Sequence, residues 1–395
     1  MKIPPKVIVL HGDEVITGRG LTVPAPPGGP APEVLSRLLG ALGDNGQVLI
    51  TERPGWDHLT DPDQSGSWKV TGGPAWHTAR YGSACLRIGK IPLVNVENCP
   101  LLDGIPDLIS VAIRHQVFAD RTGVPFYGDG GTTAVTLLEQ TARVRGREVL
   151  RKWDDPKAPM VREDAWPGGA HWPPDVDARD YPGRLTIDRN AQYLAGVNAV
   201  YLPLDAPVPT GPIEFDKTRA GYWQIRTPAN PSPRLPHPCG ARATEGELRW
   251  VAHPTAELLD RLGCAVGVAD SWTLPRERCR RLFDSWYQVL RDARAEFIRN
   301  DDPDSAALYQ AVKDTYSRGI AHLDKSPDRR WYRRDWRNIF YSSARGRMWW
   351  AMYQTGITAG YWPLTVGTDT VTYADSAAGS ALKIGKGIGE WKVTP

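Results

Sequence analysis

The chain has 395 residues, 41% apolar and 24% charged, which is long enough for two or three domains with cores of their own. A formal net charge of +3 says little about a polyanionic partner. No run of about 18 apolar residues is present, which excludes a membrane-spanning helix. The opening MKIPPKVIVLHGDEV has too short an apolar stretch, and too acidic a flank, for a signal peptide. Cys85, Cys99, Cys239, Cys264 and Cys279 are scattered without C-x-x-C spacing. That argues against a zinc site and a disulfide framework, and fits a reduced cytoplasm.

In chain order, residues 24–33 (PAPPGGPAPE) read as a loop, 34–43 as a short helix and 54–75 as turn-rich. The first well-organised block spans 83–145. There SACLRIG and PLVNVEN alternate as strands. IPDLISVAIRHQVFADRTG reads as an amphipathic helix, with Pro106 in its first turn and Gly123 as its stop. VPFYGD reads as a short strand and TTAVTLLEQTARV as a second helix, giving a β-β-α-β-α order. Asp129 in YGDGG reads as a turn residue.

Residues 153–183 (with WDDPKAPM, WPGGAHWPPD and DYPG) read as a linker or an extended surface arm. LTIDRNAQYL is a strand running into a turn or helix start, and GYWQIRT and GELRWVA are strands. The spacing of Leu282, Phe283, Trp286, Leu290, Ala293 and Phe297 predicts one helix over Arg276–Asn300. Asp304–Leu323 is a second helix and 333–356 a third. TVGTDTVTYAD reads as a hairpin and LKIGKGIGEWKV as a final strand pair.

Seven arginines crowd a short stretch: Arg329, Arg330, Arg333, Arg334, Arg337, Arg345 and Arg347. Trp331, Tyr332, Trp336, Phe340 and Tyr341 interleave with them. Guanidinium groups among aromatic rings suit phosphate contact with base stacking. A solvated helix face over a buried aromatic stripe gives the same pattern. His171, His237 and His253 stand alone and read as structural histidines.

Four segments carry chemistry. Ile187-Asp188-Arg189-Asn190-Ala191-Gln192-Tyr193-Leu194 puts an Asp at a strand end, Asn two residues on and Tyr five on. Leu308 to Gly319 carries Lys313 and Tyr316 one helical turn apart, on a shared face. Thr365 to Thr372 puts Asp369 in a hairpin, and Leu382 to Lys392 holds Lys383, Gly389 and Lys392.

In this order the four segments resemble motifs A, B and C, and the strand-turn that follows them, in family B DNA polymerases of the protein-primed branch. The resemblance runs from residue 184 to the end. It implies that Asp188 and Asp369 bind two Mg²⁺ or Mn²⁺ ions, since polynucleotide synthesis needs two metals about 4 Å apart between carboxylates. It implies that Lys313 faces the triphosphate, that Asn190, Tyr316, Lys383 and Lys392 serve the nucleotide, and that Tyr193 lies under the sugar and excludes a 2′-hydroxyl. The seven arginines then contact template or primer phosphate. Two departures are plain. Gly367 stands where the family has a first Asp, and the Tyr and Gly after Lys313 are out of register.

The fold so implied is α/β and α+β: a right-hand palm and fingers after an RNase H-like or other α/β domain, with the thumb reduced or absent. The expected divisions are 1–152 for the N-terminal α/β domain, 153–183 for the linker, 184–275 for the first palm part, 276–340 for the fingers and 341–395 for the second palm part. Val94-Asn95-Val96-Glu97 stands where an exonuclease Asp-x-Glu would fall, and Asn95 implies an inactive domain or an unrelated one. The implied activity is DNA-templated dNMP transfer to a 3′-hydroxyl or a protein primer. Its partners would be template and primer DNA, dNTP and a terminal or other replication protein, as in a mobile element or phage. Telomere-associated proteins of actinobacterial mobile elements also look similar through DRNAQYLA and the helix carrying Lys313. The alternatives are a degenerate polymerase fold that binds DNA at replication or telomeric ends, and a primase-like or terminal transferase activity.

Overall fold

The computed structural model describes residues 7–25, 29–43, 46–51, 56–72, 76–82, 84–90, 99–104, 107–142, 153, 155, 157–159, 161, 170–171, 177–240, 242–325 and 332–394. The chain forms two compact units, one of Met1–Thr141 with Gln288–Gly319, the other of Ala142–Tyr287 with Ile320–Pro395. Among the described residues, no helix is long and apolar enough to cross a membrane.

The first unit is built on a mixed sheet. Its strands are β1 (Val7–His11), β2 (Glu14–Thr17), β3 (Thr22–Pro24), β4 (Gly46–Ile50), β5 (Lys69–Gly72), β6 (Trp76–Tyr81) and β7 (Ala84–Lys90). They lie in the order β3-β2-β1-β4-β7-β6-β5. β1 and β2 form a hairpin through Gly12-Asp13, with Gly12 at φ 59°, a conformation that strand-matching tight turns require. β1, β4 and β7 run parallel.

Strand alternation divides the apolar side chains between two faces. Ile8, Leu10, Val48 and Ile50 pack against Val34, Leu35 and Leu38 of α1 (Ala31–Leu42). Val7, Val9 and Leu49 pack against Val111, Ala112 and Ala119 of α2 (Leu108–Thr122). A sheet covered on both sides shows as short apolar runs with no polar alternation. For that reason the organised region starts at Val7, well before the block expected from residue 83. The helix α2 begins at Asp107, whose carboxylate accepts from the Ser110 N–H at 2.8 Å, and stops at Gly123, φ 79°. Pro106, PLVNVEN and therefore Asn95 and Glu97 lie outside the described residues. VPFYGD is not a strand. The Tyr127 N–H donates to Thr133 Oγ1, fastening this stretch to the start of α3 (Gly130–Thr141).

The second unit contains β8 (Ala170–His171), β9 (Leu185–Arg189), α4 (Gln192–Val197), β10 (Leu202–Pro203), β11 (Val208–Pro209), β12 (Ala220–Arg226), β13 (Leu248–Ala252), α5 (His253–Arg261), β14 (Gly267–Leu274) and β15 (Cys279–Arg280). After these come α6 (Asp284–Phe297), α7 (Pro303–Lys325), α8 (Arg334–Ala359), β16 (Pro363–Val366), β17 (Thr370–Tyr373) and β18 (Trp391–Val393). The division between units falls within α6 and α7. The expected helix over Arg276–Asn300 starts only at Asp284, because Cys279 and Arg280 pair with Pro203 and Leu202 instead. LKIGKGIGEWKV yields one strand, β18, and Ile384 makes only an isolated bridge to Trp391. Within 153–183, Trp153 and Val161 are buried and β8 joins a sheet edge.

One sheet has the order β18-β9-β17-β16-β8, and a second β11-β14-β12-β13. Leu185, Ile187, Val366, Val371 and Trp391 of the first sheet pack on Met348, Trp349 and Met352 of α8. Burying each such side chain stabilises by about 1.5–3 kcal/mol. The helices α4 and α8 approach closely at Gly196, where a Cβ would sit 2.8 Å from the Ala344 Cβ.

Candidate functional site

The site grows from β9. Leu185 and Ile187 face α8, so the alternation turns Thr186 and Asp188 to the opposite face of the sheet. Asp188 is paired in register with Thr370 of β17 on one side and Lys392 of β18 on the other. β16 and β17 are joined by Thr368-Asp369, closed by the Gly367 N–H donating to the Thr370 carbonyl at 2.7 Å. Asp369 thus stands at a hairpin tip beside the end of β9.

The tip is fastened twice. The Arg189 N–H donates to the Asp369 carbonyl at 2.8 Å, and Gln192 Nε2 donates to the Thr368 carbonyl at 2.9 Å. Gln192 reaches the tip because the chain turns sharply at Ala191, which adopts φ 48°, ψ 44°. A left-handed conformation at a non-glycine residue costs on the order of 1–3 kcal/mol and persists only where the surroundings impose it. Asn190 is held by three contacts. Its N–H donates to the Glu390 carbonyl, its carbonyl accepts from Gly389, and Nδ2 donates to the Gly385 carbonyl at 2.6 Å.

Lys392 Nζ lies 2.7 Å from Asp188 Oδ2. Asp188 Oδ1 is sealed from solvent and accepts no hydrogen bond among the described residues. Burial, and after it the charge of Asp188, push the Asp369 carboxyl above the usual carboxylate range, with Lys392 opposing. A divalent cation relieves the same crowding, and Mg²⁺ is commonly held by one or two carboxylates with water and substrate phosphates completing its shell. Among the described residues no group of three or more His, Cys, Asp or Glu side chains is poised for a metal.

Tyr193, on α4, packs against Tyr341 of α8, the rings tilted by 35° with centroids 4.6 Å apart. Arg337 covers the Tyr341 ring at 4.4 Å and pairs with Asp324 at 3.1 Å. Lys383 pairs with Glu390 at 2.8 Å, and Glu390 also accepts from the Gly387 N–H, bracing the loop that presents Asn190's partners.

The other expected residues separate. Lys313 is exposed on α7 but Tyr316 is buried, so they do not share one surface. Burial pushes the Tyr316 hydroxyl up to about 12, with Tyr309 adding and Arg294 opposing. Arg333 is not free for phosphate. It is buried, pairs with Asp335 at 2.6 Å and donates to the Pro203 and Leu204 carbonyls. Arg345 is buried and donates to Thr255 Oγ1 at 3.0 Å. Arg334 and Arg347 are exposed, and Arg329 and Arg330 lie outside the described residues. Trp336 and Phe340 belong to the core, as a buried aromatic stripe requires. Gln192 and Glu390 were not foreseen. Gln192 works through a backbone carbonyl far along the chain, which no local spacing reveals.

No family model and no curated protein matches the chain. Among solved structures, phi29 DNA polymerase complexed with primer-template DNA and incoming nucleotide matches with a TM-score of 0.46 at 10% identity, covering 99% of this chain and 84% of that one. The same polymerase complexed with single-stranded DNA matches with a TM-score of 0.44 at 11% identity, covering 98% and 84%. A TM-score below 0.5 does not establish a shared fold, and the functional reading stands on the site itself.

Proposed function

We propose that the chain is a DNA-templated nucleotidyl transferase, moving dNMP from dNTP to a 3′-hydroxyl or a protein hydroxyl. One observation carries this: Asp188 and Asp369 come from distant segments and meet at the ends of adjacent strands, where burial and the Asp188 charge raise the Asp369 carboxyl. The resemblance of the surrounding segments to family B motifs agrees with it. The strand order of the first unit is compatible with an RNase H-like domain.

In the reaction the hydroxyl oxygen bonds to the α-phosphorus as the hydroxyl loses its proton. The bond to the β-phosphate bridge breaks and pyrophosphate leaves. Two Mg²⁺ or Mn²⁺ ions, when bound, would lower the pKa of the attacking hydroxyl and neutralise the triphosphate. Asp188 and Asp369 hold that charge between the strands. Lys392, already beside the carboxylates, turns its ammonium to the triphosphate. Tyr193, backed by Tyr341, sets the floor against which a 2′-hydroxyl would clash.

Primer extension with Mg²⁺ or Mn²⁺ and four dNTPs, with and without a primer, tests this against the Asp188→Ala/Asp369→Ala protein. Extension by the parent alone is expected, and the lane without primer shows how synthesis starts. Equal extension by both proteins sinks the proposal. A second reading is favoured by the Lys392–Asp188 ion pair and the Gly at 367: a polymerase-like fold that has kept DNA binding and lost the chemistry. DNA bound equally by both proteins, with extension by neither and no metal-dependent dNTP binding, selects it.

A further inference from the structure

Arg189 points to the face of its sheet opposite Asp188, because the two are neighbours on one strand. There, within the second unit, lies a cleft of about 660 Å³. Five cations line it: Arg189, Lys217, Arg261, Arg276 and Arg347, against one carboxylate, Glu257. His253 in its wall adds no charge near neutral pH, since burial pushes its pKa down to about 3.

Several other arginines of this unit are neutralised: Arg278 by Asp205, Arg281 by Asp284, Arg333 by Asp335 and Arg337 by Asp324. Among the described residues, none of the five cleft cations has an ion-pair partner. They are nonetheless held in place. Arg189 Nη1 donates to the Arg347 carbonyl at 3.1 Å, and Arg347 Nη2 to the Asn198 carbonyl at 2.7 Å. Arg261 lies 3.5 Å over the Trp350 ring and Arg276 lies 3.9 Å over Tyr201. Concentrated, ordered and unneutralised positive charge in a concave site is relieved by an anion.

We propose that this cleft is a phosphate-binding site on the sheet face away from the carboxylate pair, taking a run of two or more phosphate groups. Planar guanidinium forks fit phosphate oxygens. The volume lies within the range of roughly 300–1,000 Å³ that small-ligand pockets occupy. The Trp350 and Tyr201 faces are already covered by arginines, so bases do not stack on them, and recognition is of phosphate and independent of sequence. The phosphates belong to a single-stranded DNA backbone or to a free polyphosphate. The assignment does not rest on the proposed transferase activity.

Binding of a 12-nucleotide DNA strand and of inorganic tripolyphosphate, measured by titration without divalent metal, tests it. Lys217→Ala/Arg261→Gln/Arg276→Gln alters exposed residues and is expected to weaken the bound probe at least about tenfold. For the DNA strand its salt slope falls by about 2, near 0.7 for each phosphate that is no longer neutralised. Glu257→Gln is expected to tighten binding by roughly 2–5-fold, a gain that misfolding does not produce. Asp188→Asn/Asp369→Asn keeps the affinity, so failure of the transferase reading leaves this result standing. Weakening with the DNA probe alone assigns a nucleic-acid backbone, and weakening with both assigns a polyphosphate site. A parent that binds neither probe at low salt, or a triple variant that binds like the parent, overturns the proposal.

Discussion

Lys392 and Asp188 are register partners on adjacent strands, and the lysine ammonium lies 2.7 Å from the carboxylate. The ammonium therefore competes with any cation for Asp188. Half-exposed pairs of this kind contribute about 0–1 kcal/mol. Lys392→Ala is expected to tighten Mn²⁺ binding by up to about fivefold, followed by titration calorimetry, while raising the KM for dNTP. Weaker Mn²⁺ binding would assign Lys392 to holding Asp188 in place.

Asp369 binds its proton more tightly in the folded protein than in the unfolded chain, because burial and Asp188 disfavour its charge. Stability from this group is full at low pH and is lost as pH rises from the unfolded value through the raised folded one. Asp369→Asn removes that loss. Without metal at pH 7 it is expected to raise Tm by about 1–3 °C. It should also lower extension by at least about two orders of magnitude, the scale of losing one preorganised charge-stabilising group. A lower Tm in metal-free melts at neutral pH contradicts the carboxylate crowding.

Tyr193 rests on Tyr341, which Arg337 also covers. An aromatic pair contributes about 0.5–1.5 kcal/mol beyond burial, enough to fix one ring orientation. Tyr193→Val is expected to raise ribonucleotide use, and Tyr341→Ala to raise it partly, by freeing the Tyr193 ring. Competition between rNTP and dNTP in single-nucleotide extension reads both.

Arg333 and Arg334 are adjacent in sequence and opposite in role. Arg333→Ala leaves Asp335 buried and unpaired and is expected to destabilise by about 3–5 kcal/mol in urea unfolding. Arg334→Ala, at an exposed position, is expected to change stability by no more than about 0.5 kcal/mol. Replacing Arg333 and Asp335 together with apolar residues of similar volume should recover most of the loss.

The sequence by itself determined the carboxylates at the ends of a strand and a hairpin, the lysine on the strand that flanks them, and helices over most of α2, α7 and α8. Those features are local, since a motif or a helical period lies within a few turns of chain. Only the tertiary structure decided which arginines face solvent. Arg333 and Arg345 sit in the same run as Arg334 and Arg347, and a count of charges carries no record of which face is buried. The N-terminal sheet was illegible for a related reason: strands covered on both faces lose the alternation that marks a strand. The cleft is the extreme case. Its five cations come from β9, the turn before β12, α5, the turn before β15 and α8, and only folding makes neighbours of groups so far apart along the chain.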